Sequence, residues 1–205
     1  MYSHAPEGYI CLFCLVVEGT ENEHFTAQTQ HINLTEIAIP GCILDIGGGG
    51  EGIIARRFGS QVVSIDKRKD ELKESPDHGL KIIMDATDLK FLDATFDNVT
   101  CFYSLMYMTS DEIDTVLTEA YRVLKPGGAL WIWDAIIPYP LTAEVFLAPL
   151  EVLVHGETVT PTYGVGRKEE QSVADIQQKC SNAGFIHVET KKSKQGFFMK
   201  LQHTK

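Results

Sequence analysis

Three aspartates close three apolar runs, and a cluster of glycines follows the first of them. Asp45 lies in I-L-D-I, Asp66 follows Q-V-V-S-I, and Asp85 follows L-K-I-I-M. Gly47, Gly48, Gly49 and Gly50 come straight after the first run, and Gly52 stands just beyond them. Gly47, Gly49 and Gly52 fit G-x-G-x-x-G, a spacing that lets the backbone turn tightly and a ligand approach it closely. Asp66 stands nineteen residues after Gly47. A carboxylate at that distance is placed to accept hydrogen bonds from a ribose diol; the alternative is that it caps a helix starting at Lys67. Asp85, in D-A-T-D-L, is placed to accept from the exocyclic amine of adenine, with the Ala86 backbone amide facing a ring nitrogen. The alternative there is that Asp85 or Thr87 caps a short helix.

Asp45 discriminates between nucleotides. In dinucleotide sites the position two residues before the first glycine is usually apolar, and the pyrophosphate rests on the following helix N-terminus. A carboxylate there repels a pyrophosphate and suits an ammonium group. S-adenosylmethionine, a nucleoside with an amino-acid tail, a sulfonium and no phosphate, is such a ligand.

These residues need a frame that brings them to one edge. Residues 42–46, 61–65, 80–84, 96–103 and 129–133 are short apolar runs expected to be strands. Residues 53–58, 67–74 and 111–124 read as the helices between them. In the last of these, Ile113, Val116, Leu117, Ala120, Val123 and Leu124 recur at helical spacing behind a start at Ser110 or Asp111. Lys125-Pro126-Gly127-Gly128 reads as a turn. The alternation predicts an α/β fold with a parallel sheet covered on both faces. Ligands of such sheets bind outside the carboxyl ends of the strands. Residues 172–183 read as a further helix, capped by Ser172 and stopped by Gly184. Residues 185–190 and 196–203 read as strands, and the short link between them suits a hairpin, so the sheet ends on an antiparallel strand. Residues 1–39 read as an N-terminal extension with one or two helices in 21–37, a helical cap. Residues 40–205 form the main domain. Within it, residues 138–170 read as an insertion without a regular strand–helix unit.

Composition excludes several function classes. A formal net charge of −10 over 205 residues disfavours a nucleic-acid partner. The lysines at 191, 192, 194, 200 and 205 read as a solvated edge. No apolar run approaches the ~20 residues of a membrane span. Five cysteines and no signal-like start favour a reducing cytoplasm. Cys11 and Cys14 form half of a zinc site, with His4, His24 and His31 irregularly spaced around it; two ordinary thiols are the simpler reading, and no metal is expected. The opening H-A-P-E-G-Y-I-C-L-F-C is similar to that of some histidine-triad nucleotide-binding proteins, but that family's His-x-His-x-His run is absent.

L-D-I-G-G-G-G-E-G, V-S-I-D, M-D-A-T-D-L, F-D-N-V-T-C-F-Y-S-L-M-Y-M and E-A-Y-R-V-L-K-P-G-G, in that order, resemble the small-molecule type of class I S-adenosylmethionine-dependent methyltransferases. The resemblance covers residues 40–134. It implies a three-layer Rossmann-like sheet of seven strands, mostly parallel, with the last strand inserted antiparallel. It implies that Asp45, Gly47, Gly48 and Gly49 border the methionine tail and the ribose. Asp66 would hold the ribose hydroxyls, Lys67 would flank the adenine, and Asp85 and Ala86 would contact it. Tyr103, Ser104 and Leu105 would lie under the methionine moiety. One departure stands out: the family's third glycine position is Glu51 here.

The implied partner is a small-molecule methyl acceptor. Tyr107, Asp134, Tyr139, His155 and Tyr163 are the candidates for a general base, and the sequence singles out none as catalytic. Met106, Tyr107 and Met108 either line an acceptor pocket or pack beneath a helix. The apolar run 145–153 either covers the acceptor or forms a homodimer contact. The competing readings are a non-catalytic protein that binds S-adenosylmethionine or S-adenosylhomocysteine, and an NAD-dependent oxidoreductase.

Overall fold

The computed structural model describes residues 23–166 and 169–204. Its larger sheet holds seven strands: β3 (Ile43–Ile46), β4 (Val62–Asp66), β5 (Leu80–Ile83), β6 (Phe96–Phe102), β7 (Leu124–Ala135), β11 (Ile186–Lys192) and β12 (Gly196–Gln202). Their order is β11-β12-β7-β6-β3-β4-β5. Only β12 runs against its neighbours; it is inserted between β7 and β11. Every residue of β3 is buried, as a central parallel strand requires. This is the expected seven-stranded architecture.

Helices α3 (Ser110–Val123) and α4 (Val173–Asn182) cover one face. Ile113, Leu117, Ile176 and Cys180 meet Ile65, Val99 and Ile132 of the sheet there. Helix α3 starts behind a capping box, Thr109 with Glu112, one residue earlier than the apolar pattern alone suggests. Ser172 caps α4 by accepting from the Asp175 N–H. Residues 125–128, expected as a free turn, are looped out inside β7: Leu124 pairs with Phe96 and Ala129 with Asn98.

The opposite face departs from expectation. Helix α1 (Ile53–Phe58) covers part of it, and α2 (Lys69–Glu74) packs on β4 and β5. The rest lies beneath a second sheet. Its axis is β8 (Val145–Val154), with β1 (His24–Thr26) and β2 (Gln30–Asn33) parallel along one edge. Along the other edge run β9 (Glu157–Val159) and β10 (Thr162–Val165), both antiparallel. The helical cap expected in 21–37 is therefore corrected: residues 24–26 and 30–33 are strand, held by pairing with β8. Residues 138–170 are corrected too, for three of the second sheet's strands lie there.

The physical reason is a period-two pattern in V-F-L-A-P-L-E-V-L-V. Phe146, Ala148, Leu150, Val152 and Val154 are buried against Ile54, Phe58 and Trp133. These side chains are enclosed within the chain. Pro149 obscures the pattern, because a proline disfavours a central strand. It is tolerated because it stands opposite the break between β1, whose last residue Thr26 pairs with Leu147, and β2, whose first residue Gln30 pairs with Leu150. His155 and Gly156 join β8 to β9, with φ of 50° and 85°, as a tight two-residue hairpin turn requires.

Cys11, Cys14 and His4 lie outside the described residues. His31 pairs with Glu151 across the second sheet at 3.0 Å. Among the described residues no cluster of metal-ligating side chains occurs, and no helix is long and apolar enough to cross a membrane.

Candidate active site

A cavity of about 700 Å³ opens at the carboxyl ends of β3, β4 and β6 and beside the residues following β5. Gly47, Gly49, Asp66, Lys67, Asp85, Ala86, Tyr103 and Ser104 all line it. The sheet explains the convergence: parallel strands in register deliver their last residues to one edge.

The glycine loop shows what the cavity is shaped for. Gly47 N–H and Gly48 N–H both donate to Ile65 O, at 2.9 and 3.0 Å. Gly50 N–H donates to Glu71 O at 2.9 Å, and Gly52 N–H to Gly49 O at 3.3 Å. The Gly49 N–H is held by the Asp66 carboxylate. The amides that would grip a pyrophosphate are thus spent inside the protein. Gly47 has φ +74°, and a Cβ there would lie 2.5 Å from Ser104 Cβ; one at Gly49 would lie 2.5 Å from Glu71 Cβ. The cavity wall is built by backbone, at positions where no side chain fits.

The cavity's charge agrees with this. Glu51, Asp66, Glu71, Glu74, Asp85 and Glu112 line it, against Arg56, Lys67 and Arg68. Six carboxylates facing three cations favour a positively charged ligand and oppose a pyrophosphate. Asp66 Oδ1 accepts from the Arg68 N–H at 2.8 Å. Burial raises the Asp66 pKa, partly offset by that hydrogen bond and by Arg68. Asp85 Oδ1 accepts from the Thr87 N–H at 2.9 Å and from its hydroxyl at 2.7 Å, which lowers the Asp85 pKa. Each aspartate bonds the residue two positions on in a local turn; neither caps a helix, since α2 starts at Lys69 behind Arg68 with no side-chain cap, and both face the cavity.

Three predicted residues lie behind the wall. Gly48 is buried beneath the loop. Asp45 is 2% exposed, accepts from Thr100 Oγ1 at 2.7 Å, and points at Gly48 and Ser64. Burial raises its pKa to about 7. Leu105 is buried, and its N–H donates to Asp134 Oδ2 at 2.9 Å. Asp134 also accepts from the Ala135 N–H at 2.8 Å and from Gln171 Nε2 at 2.9 Å. It is a wholly buried anchor for the segment after β6, with its pKa raised to about 6 by burial.

The other base candidates separate clearly. Tyr139 is exposed, and His155 is an exposed turn residue whose Nε2 lies 3.0 Å from Arg57 O. Tyr107 and Tyr163 line the cavity, as do Phe102 and Met108. Tyr163 stacks on Tyr103 with ring centroids 5.5 Å apart and 15° between planes. Tyr107 is hydrogen-bonded by the Gly164 backbone N–H. Burial raises the pKa of all three tyrosines, so they keep their protons near neutrality. Tyr103 holds φ +50°, uncommon for a bulky residue, and its N–H donates to Trp133 O at 2.7 Å.

Ser104 is 5% exposed and faces Gly47. Apart from the Cys101 thiol, its Oγ has no hydrogen-bond partner among the described residues. Sequence reasoning missed Glu71 and gave Glu51 no role. The signal for Glu51 was there, as the side chain standing where the family has a glycine.

A seven-stranded sheet with one inserted antiparallel strand is the fold this chain shares with solved S-adenosylmethionine-dependent methyltransferases. Residues 44–132 match the family model described as a methyltransferase domain. A sterol 4-C-methyltransferase of Caenorhabditis elegans is 32% identical over 125 residues, covering 61% of this chain and 36% of that protein. A demethylmenaquinone methyltransferase of Listeria monocytogenes is 30% identical over 151 residues, covering 68% of this chain and 62% of that protein. The chain therefore spans less than two thirds of either relative. A solved S-adenosylmethionine-dependent methyltransferase of Methanosarcina mazei shares the fold at a TM-score of 0.58 and 20% identity, over 79% of this chain and 92% of that one.

Proposed function

We propose that the chain is a methyltransferase that binds S-adenosylmethionine in this cavity and methylates a small apolar acceptor. The observation that carries the reading is the glycine loop, whose amides are consumed by Ile65, Glu71 and Asp66 while carboxylates face the ligand space. That loop fits a cationic nucleoside without phosphate and does not fit NAD. Ser104 Oγ and the backbone at Gly47 and Gly49 supply the remaining fit, a donor and a surface free of side chains.

In this reading Asp66 holds the ribose hydroxyls, and Asp85, Ala86 and Lys67 flank the adenine. Gly47, Gly49, Tyr103 and Ser104 border the methionine end. Asp45, Gly48 and Leu105 act from beneath, fixing the loop and the turn after β6. S-adenosylmethionine supplies an electrophilic methyl group. The chain's part is to position the acceptor in line with that methyl and to exclude water. Tyr103, Tyr107 and Tyr163 keep their protons and serve as hydrogen-bond donors, not bases. Their rings, with Phe102 and Met108, give the acceptor end an apolar aromatic wall. The sterol and quinone methyltransferases among the relatives accord with an apolar ring acceptor.

The test is transfer of labelled methyl from S-adenosylmethionine to a metabolite extract and to separate sterol and quinol fractions. Label in an apolar product is expected. Intact S-adenosylhomocysteine binding with no label in any fraction would favour the non-catalytic binding protein. One observation gives that second reading weight: the Tyr163 ring already stacks on Tyr103 across the acceptor side.

A further inference from the structure

Tyr103 is held as a fixed platform at the edge of the cavity. Its φ of +50° turns the chain sharply just after β6, and its N–H donates to Trp133 O at 2.7 Å. The residue is 3% exposed, and Phe102 leans on its ring at 56° with centroids 5.4 Å apart. Ser104, the next residue, faces Gly47. The ring that lies flat on this platform comes from the other sheet. Tyr163 stacks on Tyr103 with 15° between planes and centroids 5.5 Å apart, an offset arrangement that flat rings prefer. Tyr163 belongs to β10, which pairs with β8, and it lies outside residues 44–132, the stretch matched as a methyltransferase domain. On β8 it stands opposite Ala148, whose methyl group leaves a ring room to turn on that face.

We propose that the Tyr103 face is the acceptor subsite for a planar aromatic ring, and that Tyr163 is a plug which such a ring displaces. The inference rests on the cofactor reading above, in which Tyr103, Ser104 and Gly47 border the methionine end. What lies on Tyr103 is then the ring nearest the transferred methyl. The near-parallel stack names its shape: a flat ring regains on Tyr103 the contact that Tyr163 gives up, and a puckered saturated ring does not. Of the sterol and quinol fractions, the subsite therefore selects the quinol. The plug turns aside about its own side-chain torsions while β10 keeps its ladder to β8. A plug that yields to the acceptor also accounts for the ring already present across the acceptor side, with the subsite intact beneath it.

The probes are naphthol and its saturated counterpart decahydronaphthol, titrated by calorimetry into the intact chain with S-adenosylhomocysteine present. Tyr163→Ala removes the plug and leaves the platform. It is expected to bind naphthol about tenfold more tightly than wild type, the scale of one stacked ring pair that no longer has to be broken. Decahydronaphthol, which forms no stack, should gain far less. Tyr103→Leu removes the platform and is expected to bind naphthol about tenfold more weakly than wild type. Thermal unfolding checks each variant; if Tyr103→Leu shows no cooperative transition, the contrast between the two probes in Tyr163→Ala decides alone. Unchanged or weaker naphthol binding in Tyr163→Ala would overturn the plug. An equal gain for decahydronaphthol would mean only a wider cavity and would overturn the flat-ring subsite, as would naphthol binding to neither wild type nor Tyr163→Ala. If wild-type protein binds no S-adenosylhomocysteine, the cofactor reading falls and the subsite's role with it. Normal binding of S-adenosylhomocysteine with no gain for naphthol removes this inference alone.

Discussion

The two sheets face one cavity and are built on different terms. The seven-stranded sheet delivers Gly47, Asp66 and Asp85 to the cavity from short strands joined by short connections, each within a local motif. The second sheet delivers Thr162, Tyr163 and Gly164 on β10, which pairs with residues 146–149 of β8, and β8 in turn pairs with residues 24–26 and 30–33, over a hundred positions away. The glycine-loop wall of the cavity is therefore local chemistry on a common frame. The β10 wall rests on β8, whose other edge is held by a segment remote in the chain. The difference teaches where variation is cheap: the second sheet can change its loops and side chains while the glycine loop keeps its backbone bonds to Ile65, Glu71 and Gly49.

The largest effect that would break this comparison comes from the second sheet's core. Phe146 is fully buried and its ring stacks on Phe25 at 5.7 Å. Phe146→Ala is expected to cost about 3–5 kcal/mol in urea unfolding, through lost burial and a residual cavity. A single cooperative transition at a lower midpoint makes the two sheets one folding unit. An unchanged midpoint would make the second sheet a detachable cover.

Next comes the cofactor half. Asp66→Ala is expected to weaken S-adenosylhomocysteine binding by about 100-fold, or ~2.7 kcal/mol, through lost hydrogen bonds to the ribose. Asp66→Asn, which keeps an acceptor for the Arg68 N–H, serves as the folding control. Affinity equal to wild type in Asp66→Ala, read by calorimetry, would contradict the ribose assignment.

A pH measurement sharpens the account of Asp45. Burial raises its carboxyl from 3.8 to about 7. The native state then keeps a proton that the unfolded chain releases above about pH 4. Its contribution to stability accordingly falls as the pH rises from about 4 to about 7 and is level above that. Asp45→Asn removes this titration. The stability of wild type minus that of the variant should decline across that window; a difference independent of pH would refute the burial assigned to this carboxylate.

The smallest effect lies far from the cavity. Thr109→Ala removes the cap of α3 and is expected to cost ~1 kcal/mol of thermal stability. Binding of S-adenosylhomocysteine should stay as in wild type.

Legibility in the sequence followed the same division. Strands β3, β4 and β6 were readable because central parallel strands are continuous apolar runs between breakers. The hairpin of β11 and β12 was readable from its short link. The residues lining the cofactor half followed, since strand ends and glycine spacing fix them. The second sheet was not readable, because β1 and β2 are only three and four residues long and carry polar residues. They become strands by pairing with β8, and Pro149 hid the alternation that marks β8. Tyr163 stood among several tyrosines without rank until β10 placed it on Tyr103. The burial of Asp45 was also out of reach: its position in the motif was plain, but the Thr100 hydroxyl that holds it below the loop comes from a strand fifty-five residues away.

The central claim is that the glycine loop accepts a cationic nucleoside and refuses a pyrophosphate. Calorimetric titration of the intact chain with S-adenosylhomocysteine and, in parallel, with NAD tests it directly. The account predicts one-to-one micromolar binding of S-adenosylhomocysteine and no heat with NAD. Micromolar NAD binding with none for S-adenosylhomocysteine would contradict it.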